Sequence, residues 1–226
     1  MRTRLTAILP AIVLISIAML SAPRAGVARD RFLAPGITAA RQIPYPVEVV
    51  GSGLVTLSVN LDASGHATSV QVLRDIPGLT SLVSSLVKDW TYSPATLDGS
   101  AVPSTINIEV VFNPGDTLNQ TLKIPPVAPS TAPLPQGYLP PEVAVGSYAS
   151  YPINSVANDT VVLDVLLDKF GNAKKIDPVR DIASLTPEAS AAVRRWTINA
   201  ATFNQKPIPC KLVVAYVFRS PTMSTR

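Results

Sequence analysis

One cysteine, one histidine and few charges set the first limits on this 226-residue chain. Cys210 has no partner for an internal disulfide, and a cysteine-based zinc site is excluded. It opens an apolar strand-like run, so its thiol is expected to be buried. His66 stands alone, which removes any paired-histidine metal site, and any Ser-His-Asp triad would have to use this one residue. It falls in a hairpin turn, where a solvated role is expected. No nucleophile elbow and no phosphate-cradling glycine loop occurs, so the chain reads as a non-enzyme with no cofactor and no metal. Charged residues make up only 15%, while 47% are apolar, enough to bury a core.

The N-terminus is set apart by composition. Arg2 and Arg4 precede an apolar run from Leu5 to Leu20, and Gly26-Val27-Ala28 supplies a small-x-small site. That layout reads as a secretory signal over residues 1–28. The alternative is an uncleaved anchor, for which the run is short and interrupted by Pro10. Cleavage would remove Arg2, Arg4 and Arg24, taking the formal charge from +4 to +1. No basic footprint for nucleic acid is then left. A membrane contact is expected only if the N-terminal segment is retained.

A shift of 106 positions lays the chain on itself without a gap. Tyr45-Pro46 meets Tyr151-Pro152, Arg74-Asp75-Ile76 meets Arg180-Asp181-Ile182, and Trp90-Thr91 meets Trp196-Thr197. Asp62 and Gly65 meet Asp168 and Gly171, and Val111-Phe112 meets Val217-Phe218. In the first copy Val55, Leu57, Val59 and Leu61 alternate with Thr56, Ser58 and Asn60, the period of a strand. Asp62 to Gly65 forms a turn, and a second strand runs through Val70 and Val72. Leu79, Leu82, Val83, Leu86, Val87 and Trp90 share one helical face, and Ile106 to Phe112 closes the unit as a strand. The second copy repeats this order, with Thr186 expected to cap its helix before Pro187 and Pro178 expected at an edge or bulge.

The predicted fold class is α+β: two tandem small ββαβ domains, each a three-stranded antiparallel sheet with one helix packed on it. The domains span 44–114 and 150–220. Residues 29–43 read as a tether and 221–226 as a tail. Residues 115–149 read as a semi-rigid proline-rich linker, in which Pro126 to Pro129 also fits a P-x-x-P ligand.

Tyr45-Pro46, the glycine-centred hairpin, and the helix ending in Trp90-Thr91-Tyr92-Ser93-Pro94-Ala95 resemble the TonB C-terminal domain family. Residues 151–218 resemble it more loosely, because Ile198 and Ala200 replace the aromatic and the proline. The resemblance implies a periplasmic protein that takes a partner's peptide as an added strand beside its last strand. It does not by itself imply energy transduction. The chain lacks a histidine in the N-terminal run, lacks a long Glu-Pro and Lys-Pro spacer, and carries the unit twice.

Two sets of residues follow as candidate partner contacts. Thr105, Asn107, Glu109 and Lys211 lie on the last strands, where strand addition is expected. Val162, Leu166, Val213, Ala215 and Val217 form an apolar outer face on the second unit, which needs a cover. The first unit, the linker, a second chain or a protein partner could supply it. A homodimer is therefore one option and a protein or peptide ligand another. Arg74-Asp75 and Arg180-Asp181 are expected to form local salt bridges, Asp62 and Asp168 to cap turns, and Trp90 and Trp196 to anchor cores.

Overall fold

The computed structural model describes residues 31–46, 51–115, 120–125, 127 and 137–221. The signal-like segment, the P-x-x-P prolines and the tail after Pro221 lie outside the described residues. Among the described residues strands dominate, with two short α-helices and several sheets. The first half comprises Phe32–Leu33 (β1), Gly36–Ala39 (β2), Gly53–Leu61 (β3), Ala67–Arg74 (β4) and the helix Thr80–Leu86 (α1). Thr91–Ser93 (β5), Ala95–Leu97 (β6), Ser100–Val102 (β7) and Ser104–Asn113 (β8) complete it. The second half comprises Tyr138–Leu139 (β9), Glu142–Val145 (β10), Thr160–Leu167 (β11), Ala173–Arg180 (β12) and the helix Thr186–Val193 (α2). Thr197–Asn199 (β13), Thr202–Phe203 (β14), Lys206–Pro207 (β15) and Cys210–Phe218 (β16) follow.

The hairpins close on the same local chemistry. Asp62 Oδ1 accepts the backbone N–H groups of Ser64 and His66, and Asp168 Oδ1 those of Phe170 and Asn172. Those backbone bonds, Asn172 first, hold the Asp168 carboxyl down at about 2. Gly171 sits at φ +86°, where an added Cβ would lie 1.9 Å from the Ile198 carbonyl oxygen. Gly171→Ala is therefore expected to cost at least about 1–3 kcal/mol in urea unfolding. The same change at Gly99, also at positive φ but with nothing near its Cβ, should cost less.

The two three-stranded arrays expected from sequence are not separate. They form one six-stranded sheet in the order β12-β11-β16-β8-β3-β4. The join is a parallel pairing of β16 with β8, from Val213 against Ile108 to Phe218 against Asn113. Under the 106-residue repeat Val213 corresponds to Asn107, so the register is offset by one residue. A one-residue offset exchanges the faces of a strand. The core face of the first unit, Ile108, Val110 and Phe112, thus continues into the outer face of the second, Val213, Ala215 and Val217. On the reverse face Val111 continues into Tyr216. The units are related by a rotation about the seam, and their helices lie on opposite faces.

Each face carries its own core. One gathers Leu79 and the α1 residue Val83 with Leu57, Ile108, Val162, Val213, Ala215 and Val217. The other gathers Leu185, Ala189 and Val193 with Leu163, Val214, Tyr216 and first-unit residues Leu54, Ala95 and Val111. Leu79, Val83, Val87 and Trp90 are buried as their spacing predicts, but Leu82 and Leu86 are only half-buried. The α-helix ends at Leu86 and Val87–Asp89 continues as a 3-10 turn, which tightens the period and rotates that face. Thr186 does not cap forward. Its Oγ1 accepts the N–H of Ile182, just as Thr80 Oγ1 accepts that of Ile76.

The repeat also extends into the segments read as tether and linker. β2 pairs with β5, and β10, 106 residues later, pairs with β13. β1 and β9 likewise pair with β6 and β14. Each leading segment pairs with strands of its own unit. Ile37 and Ile43 join the core that holds Val213 and Val217, while Val143 joins the core of α2. Thr160 Oγ1 accepts the N–H of Ile43 and donates to its carbonyl. Among the described residues, no helix is long and apolar enough to cross a membrane.

Candidate functional site

Most candidate contact residues lie inside the sheet rather than on its surface. Val162, Val213, Ala215 and Val217 are buried beneath the first unit's core and the segment from Ile37 to Ile43. The cover that this apolar face requires is the chain itself. Leu166 remains partly exposed, and Lys211 donates to Asp164 Oδ2 at 2.6 Å. Burial raises the Asp164 carboxyl above its usual range, and Lys211 pulls it back. Thr105, Asn107 and Glu109 are all buried in β8. The last strands supply each other's second edge, since β8 lies between β3 and β16 and β16 between β8 and β11.

The polar outer face of the first unit is covered by the linker. Proline-rich chain leaves carbonyls without regular partners, so side chains of the sheet must donate to them. Arg74 does so twice: its Nε donates to the Pro125 carbonyl at 2.9 Å and its Nη2 to that of Val143 at 3.1 Å. Asn107 Nδ2 donates to the Pro141 carbonyl at 3.1 Å. Arg74 also donates to Thr56 Oγ1, whose hydroxyl donates to Glu109 Oε2 at 2.5 Å. The Arg74 side chain approaches Glu142 at 3.3 Å and Glu109 at 3.9 Å.

Neither arginine of the repeated Arg-Asp pair bonds as the sequence suggests. Asp75 and Asp181 are exposed. Arg74 turns inward to the linker, and Arg180 pairs with Asp159 at 2.7 Å. The missed signal lies at two repeat positions. Thr56 and Glu109 correspond to Val162 and Ala215, so only the first copy has polar groups placed to answer a buried guanidinium.

Glu109 has no exposure, and burial pushes its carboxyl up to about 7. The Thr56 bond and Arg74 oppose that rise, while Glu142 adds to it. Neutral acceptors already satisfy much of Arg74, so the folded chain tolerates a protonated Glu109. Its stabilising contribution is complete below about pH 4.5 and is lost as pH rises through about 7. The wild-type urea midpoint should therefore fall between about pH 5 and 8, and Glu109→Gln should flatten that slope.

The remaining sites are plain. His66 is exposed and sits 3.4 Å from Asp62. Cys210 is buried, and burial raises its thiol to about 11. No group of three or more His, Cys, Asp or Glu side chains could hold a metal among the described residues. A cleft of about 540 Å³ lies between Gln42 to Tyr45, Asn158 and Asp159, and Val217 to Pro221.

What the sheet leaves open is its two outer strands. Both carry a bulge near each end. β12 adds Lys174, Lys175, Asp177 and Pro178, devices that discourage further pairing. β4 has no charged residue before Arg74. The first unit runs as a hairpin, a crossing helix and a closing strand. Residues 45–114 match the Gram-negative bacterial TonB protein C-terminal family. The matched TonB-like unit runs from Tyr45 through β8, so it includes the hairpin, α1 and the tryptophan turn. Its family is not one of enzymes. No curated protein and no solved structure matches the chain.

Proposed function

We propose that this chain is an exported cell-envelope protein that binds protein or peptide partners, with tandem TonB C-terminal-like units acting as one binding body. The observation that carries this reading is the family match over residues 45–114. Residues 151–218 join it through the 106-residue repeat and the same order of hairpin, helix and closing strand. Export rests on the basic start, apolar run and small-x-small site of residues 1–28. Strand addition remains the mode of binding, with one adjustment. A partner strand beside Thr105–Phe112 or Lys211–Phe218 would have to part β8 from β16. Backbone outside that seam serves instead.

Two measurements test this. The protein isolated from a periplasmic fraction should begin near Arg29; a cytoplasmic chain that keeps Met1 contradicts export. Isotope-labelled full chain, titrated with short peptides from the periplasmic side of outer-membrane receptors, should show amide shifts outside the seam. An unchanged spectrum at millimolar peptide contradicts binding.

A further inference from the structure

The two units differ in one place where the chain binds itself. In the second unit a piece of linker is added as an extra strand alongside Gly146–Tyr148. Leu122 N–H donates to the Gly146 carbonyl and Tyr148 N–H to that of Gln120, each at 2.9 Å, with Thr121 bridged to Ser147. The added segment is anchored by two apolar side chains. Leu122 is buried, Ile124 is partly buried in the same core, and both lie close over the missing Cβ of Gly146 beside Trp196. Trp196 Nε1 donates to the Ser147 carbonyl at 3.3 Å.

The equivalent backbone in the first unit is Ala40–Gln42, beside Trp90. Arg41 and Gln42 are exposed, and no strand lies along these three residues among the described residues. Trp90 is buried, yet its Nε1 has no hydrogen-bond partner. The 540 Å³ cleft opens at Gln42, where Tyr148 stands in the other unit with its hydroxyl turned toward Ser52. Among the described residues the same acceptor surface thus occurs twice and is filled once.

We propose that Ala40–Gln42 is a docking rail for an extended peptide of another protein, paired antiparallel as Gln120–Leu122 pairs with Gly146–Tyr148. The inference rests on the binding role proposed above and gives it a place. The occupant's chemistry follows from the filled copy: two apolar residues at positions i and i+2, lying against residue 40 and Trp90. Ala40 carries the methyl that Gly146 lacks, so the first residue is smaller than leucine, such as valine or alanine. The residues before it enter along the cleft at Gln42.

The two tryptophans give two indole N–H signals, one per copy. The probe is a synthetic peptide copying residues 118–125 and carrying L122V, added to isotope-labelled full chain. The Trp90 indole signal should move, the Trp196 signal should stay, and exchange of the Gln42 amide should slow at least tenfold. Gln42→Pro, which removes the donating N–H, should weaken binding by roughly five- to tenfold, and an L122D peptide should not bind. Movement of Trp196 alone would overturn the proposal, as would a still Trp90 at millimolar peptide. Slow exchange at Ala40–Gln42 before any peptide is added would assign the rail to the chain's own N-terminal segment and overturn it too. Shifts confined to β4 or β12 would reject the rail while leaving the wider binding role intact.

Discussion

Arg74→Ala is expected to lower the unfolding free energy by about 3–5 kcal/mol, while Arg180→Ala costs no more than about 1 kcal/mol. The two arginines occupy the same repeat position and differ only in surroundings. Arg74 is 4% exposed and links Thr56, Pro125 and Val143, with Glu109 and Glu142 beside it. Removing it strands the buried Val143 carbonyl and leaves Glu109 without its nearest cation, and unpaired buried polar groups carry their full desolvation cost. Arg180 keeps about a quarter of its side chain in water, as does Asp159, so solvent takes over much of what the pair contributes. Urea midpoints of the two variants measure the contrast. Equal losses would mean that the linker does not depend on Arg74.

Leu185→Ala should destabilise both copies together. Leu185 is fully buried at the start of α2, and such truncations cost about 2–5 kcal/mol. If the units were joined only by a linker, unfolding of the first would not register the loss. A shared sheet makes the lesion common to both, because Leu54 and Val111 of the first unit belong to the α2 core, and Val162, Val213 and Val217 of the second belong to the α1 core. Single-tryptophan variants, W196F reporting on Trp90 and W90F on Trp196, separate the two readouts. Both transitions should shift by the same amount. A Trp90 transition that stays in place would contradict one cooperative body.

Local features were legible in sequence because local chemistry dictates them. Asp62 and Gly65 specify a turn wherever the hairpin goes, and the spacing from Leu79 to Trp90 specifies a helical face. The contrast between Asn107 and Val213 also carried real information: one outer face suits polar cover and the other apolar cover. What filled those faces was not legible, since the seam depends on a one-residue offset between strands 106 positions apart. Period-2 alternation reports which residues share a face, not which strand lies next to it. The leading segments lie upstream of Tyr45-Pro46, where the clearer run of matched positions begins. Phe32-Leu33-Ala34-Pro35 and Tyr138-Leu139-Pro140-Pro141 keep the same spacing upstream, with aromatic, leucine and proline in step.

The contact residues show the same division. Val162, Val213, Ala215 and Val217 stood out as a face needing burial, and they are buried by the chain's own Ile37 and Ile43. Thr105, Asn107 and Glu109 stood out as a polar last strand. Their polarity answers the linker, through Arg74 and the carbonyl of Pro141. A strand face states its appetite for polar or apolar cover, and tertiary connectivity decides whether the cover comes from within.

Hydrogen exchange along β8 tests the central claim most directly, because a strand with neighbours on both sides has every amide bonded and an edge strand only alternate ones. With β16 paired to β8, consecutive amides from Glu109 to Asn113 should all exchange slowly, while β4 shows alternating fast and slow positions. Alternation along β8 as well would mean that its outer edge is open, and would contradict the single six-stranded sheet.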